Sequence, residues 1–198
     1  MAEGAPALLF DLDGTLVDSV YQHVLAWHEV LGEAGMELSV WRIHRRIGMS
    51  GGLFVNALLR ETGKQLSTEE AGALRARHTE AFIRRLGEVR PLPGSRELLG
   101  VKPKVVITRD DVAHAKPDPD LFLAAAARLG VDITSSIVFG DSVWDLLAAQ
   151  RARSLGVGLL SGGYGREELQ QAVAYRVYED PRDLLVHLDE VGVRERAG

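Results

Sequence analysis

The chain of 198 residues carries 28 acidic and 23 basic side chains, a formal net charge of -5, which leaves no overall basic surface for nucleic acid or an anionic membrane. It has no cysteine, so disulfides, thiolate nucleophiles and cysteine-held metals are excluded, and any metal must be held by oxygen or imidazole. With 46% hydrophobic and 26% charged residues, no apolar stretch of membrane-spanning length and no basic leader, it reads as a globular chain with a real core, expected in the cytoplasm.

The first predicted element is a strand, the apolar run Ala7 to Phe10, which stops at Asp11-Leu-Asp-Gly14. Ligand sites of open α/β sheets lie beyond the carboxyl ends of such strands. Asp11 and Asp13 are placed at that edge, and the two-residue period of extended chain puts them on one face, one to attack and one to handle a proton. Gly14 lets the chain turn; a merely polar turn is the plain alternative.

A helical block follows. Val20, Val24, Trp27, Leu31 and Ala34 recur at spacings of four and three, predicting a helix from Asp18 to about Gly35. Val40 to Ile47 and Leu53 to Leu59 give shorter patterns. Ser67 with Glu70 is a capping box opening a helix that carries Ala71, Leu74, His78 and Phe82. No strand is expected between Val20 and Leu86. Pro91-Leu-Pro-Gly94 then marks a connection, beyond which short apolar runs at Lys104–Thr108, Ser136–Gly140 and Gly156–Leu160 alternate with helices near Leu121–Leu129 and Val143–Arg153. Strand alternating with helix predicts an α/β fold with a parallel, doubly wound sheet. The expected organisation is a discontinuous core, residues 1–18 and 91–198, with a helical cap, residues 19–90, inserted between.

Two further segments carry chemistry. Gly140-Asp-Ser-Val-Trp-Asp145 puts Asp141 at a second strand end and Asp145 one turn on along a helix, aimed at the same cavity, although Asp141 as a plain N-cap is the competing reading. Ala115-Lys-Pro-Asp-Pro-Asp-Leu-Phe122 fixes Lys116 before a proline, with Asp118 expected to cap a helix whose first position is Pro119. Otherwise Lys116 is a solvated loop lysine. A pocket gathering Asp11, Asp13, Asp141 and Asp145 repels itself unless a cation intervenes, and Mg²⁺ suits carboxylates, waters and phosphate oxygens.

The string FDLDGTLVDS, Phe10 to Ser19, resembles the first motif of the haloacid dehalogenase superfamily. KPDP resembles its third motif, GDSVWD its fourth, and Tyr175 to Leu188 its last strand and helix. The resemblance implies a Rossmann-like core with an inserted cap, and a Mg²⁺-dependent phosphatase acting on a small phosphomonoester through an aspartyl-phosphate. It makes Asp11 the nucleophile, Asp13 the general acid/base that dehalogenases lack, and Lys116 the cation that neutralises phosphoryl charge. Asp11, the backbone carbonyl of Asp13, and Asp141 are implied to contact the metal, with Asp145 a further ligand or an orienter of metal-bound water. Phosphoglycolate or a sugar phosphate is the implied substrate class.

A β-phosphoglucomutase-like phosphomutase is the alternative. Tyr21 to Trp27 resembles the cap entry of those relatives, with His23 near the acid/base, and Arg45, Arg46 and Gly48–Gly52 resemble the substrate loop. The mutase arginine, however, falls at Gly51, and Asp145 favours hydrolases. An aspartate-phosphorylated receiver domain shares the acids and lysine but not a helical insertion after Asp13.

One departure stands out. Between Leu98 and Lys116 there is room for only one strand, VVIT, where the family has a strand ending in a phosphate-holding Ser or Thr, a helix and a second strand. That unit takes about 30 residues. Either the crossover is deleted, or residues are missing from the sequence as written, or Thr108 serves in place of the absent hydroxyl. VVIT matches the later strand, and the missing one belongs beside the first-motif strand, so sheet edges should be exposed. This shortage motivates a further alternative, a catalytically impaired relative kept for binding.

Overall fold

A computed structural model describes residues 6–49, 51–100 and 103–192. The chain divides into two compact units, Met1–Asp18 with Pro91–Gly198, and Ser19–Arg90. Strand β1 (Ala7–Phe10) opens the first unit, and the two-residue strands β2 (Val17–Asp18) and β3 (Arg90–Pro91) form a small sheet of their own. No described helix is long and apolar enough to cross a membrane.

The second unit is helical: α1 (Val20–Glu33), α2 (Val40–His44), α3 (Gly51–Thr62) and α4 (Thr68–Ile83). The expected stripe on α1 buries Val20, Val24, Trp27 and Leu31 together with Val30. Gly35, with φ +64°, follows its end. The Ser67–Glu70 capping box forms: Glu70 N–H donates to Ser67 Oγ at 3.2 Å, and Ser67 N–H to Glu70 Oε2 at 2.7 Å. Phe54, Val55 and Leu58 of α3 and Leu74 and Ala81 of α4 complete this core, and Trp27 meets Phe54 with ring centroids 4.5 Å apart. Ion pairs from Glu29 to Arg84 and Arg85, and from Glu33 to Arg77, run between α1 and α4. They lie near the surface and contribute little beside the apolar core.

In the first unit β1, β4 (Ser136–Gly140), β5 (Leu155–Leu159) and β6 (Arg176–Tyr178) form a fully parallel sheet in the order β1-β4-β5-β6. The strand β4 is buried along its whole length, which is why its sequence is continuously apolar. Alternate side chains face opposite layers. Leu9 and Val138 pack with Phe122 of α6 (Asp120–Leu129) and Ala148 and Ala149 of α7 (Val143–Ala152). Ile137, Phe139, Val157 and Leu159 pack with Leu98 of α5 (Ser95–Leu99) and Leu184 of α9 (Pro181–Val186). Phe10 and Phe139, paired across the ladder, stack at 4.7 Å. A further cluster seats α8 (Arg166–Gln171) through Leu169. The result is a three-layer α/β unit.

The predicted strand Lys104–Thr108 does not form: these residues join no sheet, and Val106 is 65% exposed. A strand exists only by laddering onto a neighbour. Among the described residues β1 ends the sheet, and Lys104–Thr108 ladders onto no strand. Val101 and Lys102 of this short connection lie outside the described residues. Some boundaries shift by one residue, and the run Gly156–Leu160 forms its strand as Leu155–Leu159. Pro119 is the N-cap of α6 and Asp120 its first residue, because Phe122 and Leu123 N–H groups both reach the Pro119 carbonyl at 3.0 Å. Ser142, not Asp141, caps α7.

Candidate active site

The acids converge from strand ends of the first unit. Beyond β1 the chain closes on itself: the N–H groups of Thr15, Leu16 and Val17 all reach the Leu12 carbonyl, at 3.3, 2.8 and 3.0 Å. Gly14 adopts φ +79°, a left-handed conformation that suits glycine. Asp13 and Gly14 therefore lie within a tight turn that begins at Leu12, directly after Asp11, and Leu12 between the two acids is 55% exposed.

Lys116, reached through the loop before α6 and joined to Pro117 by a cis peptide bond, is buried between two of the acids. Its Nζ lies 2.6 Å from Asp11 Oδ1 and donates to Asp145 Oδ1 at 2.7 Å. The other oxygen of Asp145 accepts from the Ser142 hydroxyl at 2.5 Å and from Ser142 N–H at 3.1 Å. Asp145 is thus a capping-box partner at the start of α7 as well as the counter-ion of Lys116. The signature Ser-x-x-Asp was present in Ser142–Asp145; its meaning for the lysine was not. Asp141, preceding the cap, receives the buried Thr15 hydroxyl on Oδ1 at 3.2 Å. Carboxylate oxygens of Asp11, Asp141 and Asp145 lie within 4.8 Å of one another.

The electrostatics follow from this crowding. Burial pushes the Asp11 carboxyl up, Lys116 pulls it down, and Asp145 and Asp13 add repulsion, with a net pKa of about 6. Burial and then repulsion from Asp145 and Asp11 hold Asp141 well above the usual carboxylate range against the pull of Lys116. Burial alone would favour neutral Lys116, but Asp11 and Asp145 override it and keep the ammonium charged. One buried cation faces three gathered carboxylates, an excess of negative charge that a further cation relieves. The donor set is all oxygen and suits a hard divalent ion.

Thr108 does not join the acids: it is exposed, and its N–H and hydroxyl both donate to Asp111 Oδ2, at 2.7 and 2.8 Å. His23 stacks on Phe82 at 3.8 Å within the helical unit, its Nδ1 lying 3.3 Å from His78 Nε2. Arg46 pairs with Glu61, and Arg45 is the C-cap of α2. Within Gly48–Gly52, Ser50 lies outside the described residues. Thr15 and Ser142 were not singled out from sequence, though both adjoin motif acids.

A family model described as haloacid dehalogenase-like hydrolase matches residues 96–153. The fructose-1-phosphate phosphatase YqaB of Escherichia coli is 30% identical over 181 residues, covering 77% of this chain and 95% of that protein. The chain belongs to the haloacid dehalogenase-like hydrolases. A hydrolase of known crystal structure from Pseudomonas syringae is 47% identical, covers 94% of this chain and 99% of its own, and superposes with a TM-score of 0.89. A phosphoglycolate phosphatase of Caulobacter vibrioides is 29% identical over 212 residues, covering 91% of this chain and 86% of that protein. That alignment of 212 positions takes in 91% of the 198 residues, about 180 of them, and so leaves about 30 positions of the relative without a counterpart in this chain.

Proposed function

We propose that this hydrolase releases phosphate from a small phosphomonoester of the phosphoglycolate or sugar-phosphate type, with Mg²⁺ as cofactor and Asp11 as nucleophile. The observation that carries the reading is Lys116, held at 2.6 Å from Asp11 and 2.7 Å from Asp145 beside a third buried carboxylate, Asp141. Among the relatives, one is named for fructose 1-phosphate and another for phosphoglycolate, which supports the substrate class.

In this mechanism ionised Asp11 attacks phosphorus, the bond to the ester oxygen breaks, and Asp13 gives its proton to the departing alkoxide. Asp13 then takes a proton from the water that hydrolyses the aspartyl-phosphate, freeing phosphate and regenerating Asp11. Lys116 neutralises the phosphoryl oxygens in both steps, and Asp145, with both oxygens engaged, keeps the ammonium in place. Asp11, the Asp13 carbonyl and Asp141 would hold Mg²⁺, with Asp145 beside them, and the bound ion would supply further charge neutralisation at the phosphoryl oxygens.

Thr108 favours the second reading, a fold retained for binding, because the hydroxyl offered for the phosphate is committed to Asp111. The two readings separate in an assay of phosphate release from p-nitrophenyl phosphate, phosphoglycolate and fructose 1-phosphate, with Mg²⁺ and with EDTA. Turnover that needs Mg²⁺ and stops with EDTA is expected. No release from any ester, or release indifferent to EDTA, contradicts the proposal.

A further inference from the structure

Asp141 is enclosed by the loops that follow the two strands flanking its own. From the β1 side comes Thr15, fully buried, its hydroxyl on Asp141 Oδ1 at 3.2 Å across 126 residues of chain. From the β5 side comes Gly162, approaching so closely that a Cβ there would sit 1.7 Å from Asp141 Oδ2. The two flanking loops are tied to each other as well: Ser161 Oγ donates to the Gly14 carbonyl at 2.6 Å, across 147 residues. Gly14 adjoins Thr15, and Ser161 adjoins Gly162. The contacts therefore close a ring, Thr15 to Asp141 to Gly162 to Ser161 to Gly14 and back to Thr15, built from the ends of three adjacent strands.

The structure assigns Thr15 and Ser161 as positioning residues that hold the Asp141 carboxylate in one orientation for a divalent cation, an inference that rests on the metal-dependent reading above. A carboxylate crowded by Asp11 and Asp145 is repelled from the place where the cation must sit. A neutral donor on one oxygen and a backbone wall against the other oppose that displacement without adding a competing positive charge. Ser161 acts one step further out, keeping the wall in register with the donor. Partners of metal ligands commonly govern affinity in this way, by about 10- to 100-fold when lost.

Calorimetric titration of the full-length, substrate-free protein with Mg²⁺ tests the assignment, each variant being checked for folding by circular dichroism. Thr15→Val should weaken Mg²⁺ binding at least about tenfold, Thr15→Ser should restore it, and Ser161→Ala should weaken it by a smaller factor. The assignment is overturned if folded Thr15→Val and Ser161→Ala both bind Mg²⁺ like the wild type, or if Thr15→Ser binds as weakly as Thr15→Val. Should Thr15→Val not fold, Ser161→Ala decides: wild-type affinity overturns the ring, reduced affinity supports it. A wild-type protein that takes up no Mg²⁺, or an Asp141→Asn variant that binds it equally well, overturns the metal site itself, an outcome distinct from failure of the ring alone.

Discussion

Lys116 is what lets three carboxylates crowd together. Its ammonium is divided between the proposed nucleophile and Asp145, and burying an unpaired charge on either side would cost several kcal/mol. Asp13 is close enough for its charge to raise Asp11, which suits a group proposed to exchange protons beside the nucleophile. Its role predicts a dependence on the leaving group. Because Asp13 also serves the hydrolysis step common to every ester, the acid role is read in kcat/KM, which stops at the aspartyl-phosphate: Asp13→Asn should lower it by about 10²–10⁴-fold for an alkyl phosphate and much less for p-nitrophenyl phosphate, whose departing oxygen needs no proton. Equal losses of kcat/KM for both esters contradict an acid role.

At the scale of elements, Ala7–Phe10 and Ser136–Gly140 were legible because each is an apolar run that stops at an acidic motif, and both match the strands residue for residue. Helix α4 was legible from its cap. Lys104–Thr108 looked the same in sequence and forms no strand, since pairing depends on a neighbour that local sequence does not reveal. For the same reason the acids and Lys116 were legible while the pairings of Lys116 with Asp145, 29 residues apart, and of Thr15 with Asp141, 126 apart, were not.

The α1–α4 packing holds another non-local feature, a stack in which His78 lies 4.2 Å from Trp27 and 5.3 Å from His23, ring to ring. Burial, with repulsion from His23 second, lowers the His78 pKa to about 4. The unfolded chain protonates at its ordinary value near 6.5, so this contribution to stability is intact above about pH 6.5 and is lost as the pH falls toward 4. Its upper bound is about 3 kcal/mol. Denaturant unfolding of His78→Phe and wild type at pH 7 and pH 5 should show a smaller acid loss in the variant. Identical losses contradict the buried-imidazole account.

Among the described residues β1, which leads into the candidate site at Asp11, ends the parallel sheet, and that sheet has a core on both of its faces. The excess negative charge in that site makes stability a reporter of cation binding. Mg²⁺ at ten times its dissociation constant should add about 1.4 kcal/mol, a rise of roughly 3–5 °C in melting temperature for a chain of this size. Asp141→Asn should melt higher than wild type without Mg²⁺, through relief of repulsion, and gain nothing from its addition. An equal Mg²⁺-dependent rise in both proteins contradicts cation binding at Asp141.

The account turns on Asp11 as the atom donor that takes the phosphoryl group. Acid quenching during turnover of p-nitrophenyl phosphate, followed by mass spectrometry of the peptide containing Asp11, tests this directly. One phosphoryl group on Asp11 in the wild type, and neither that adduct nor turnover in Asp11→Asn, is the predicted result; an Asp11→Asn variant that releases phosphate at the wild-type rate would contradict it.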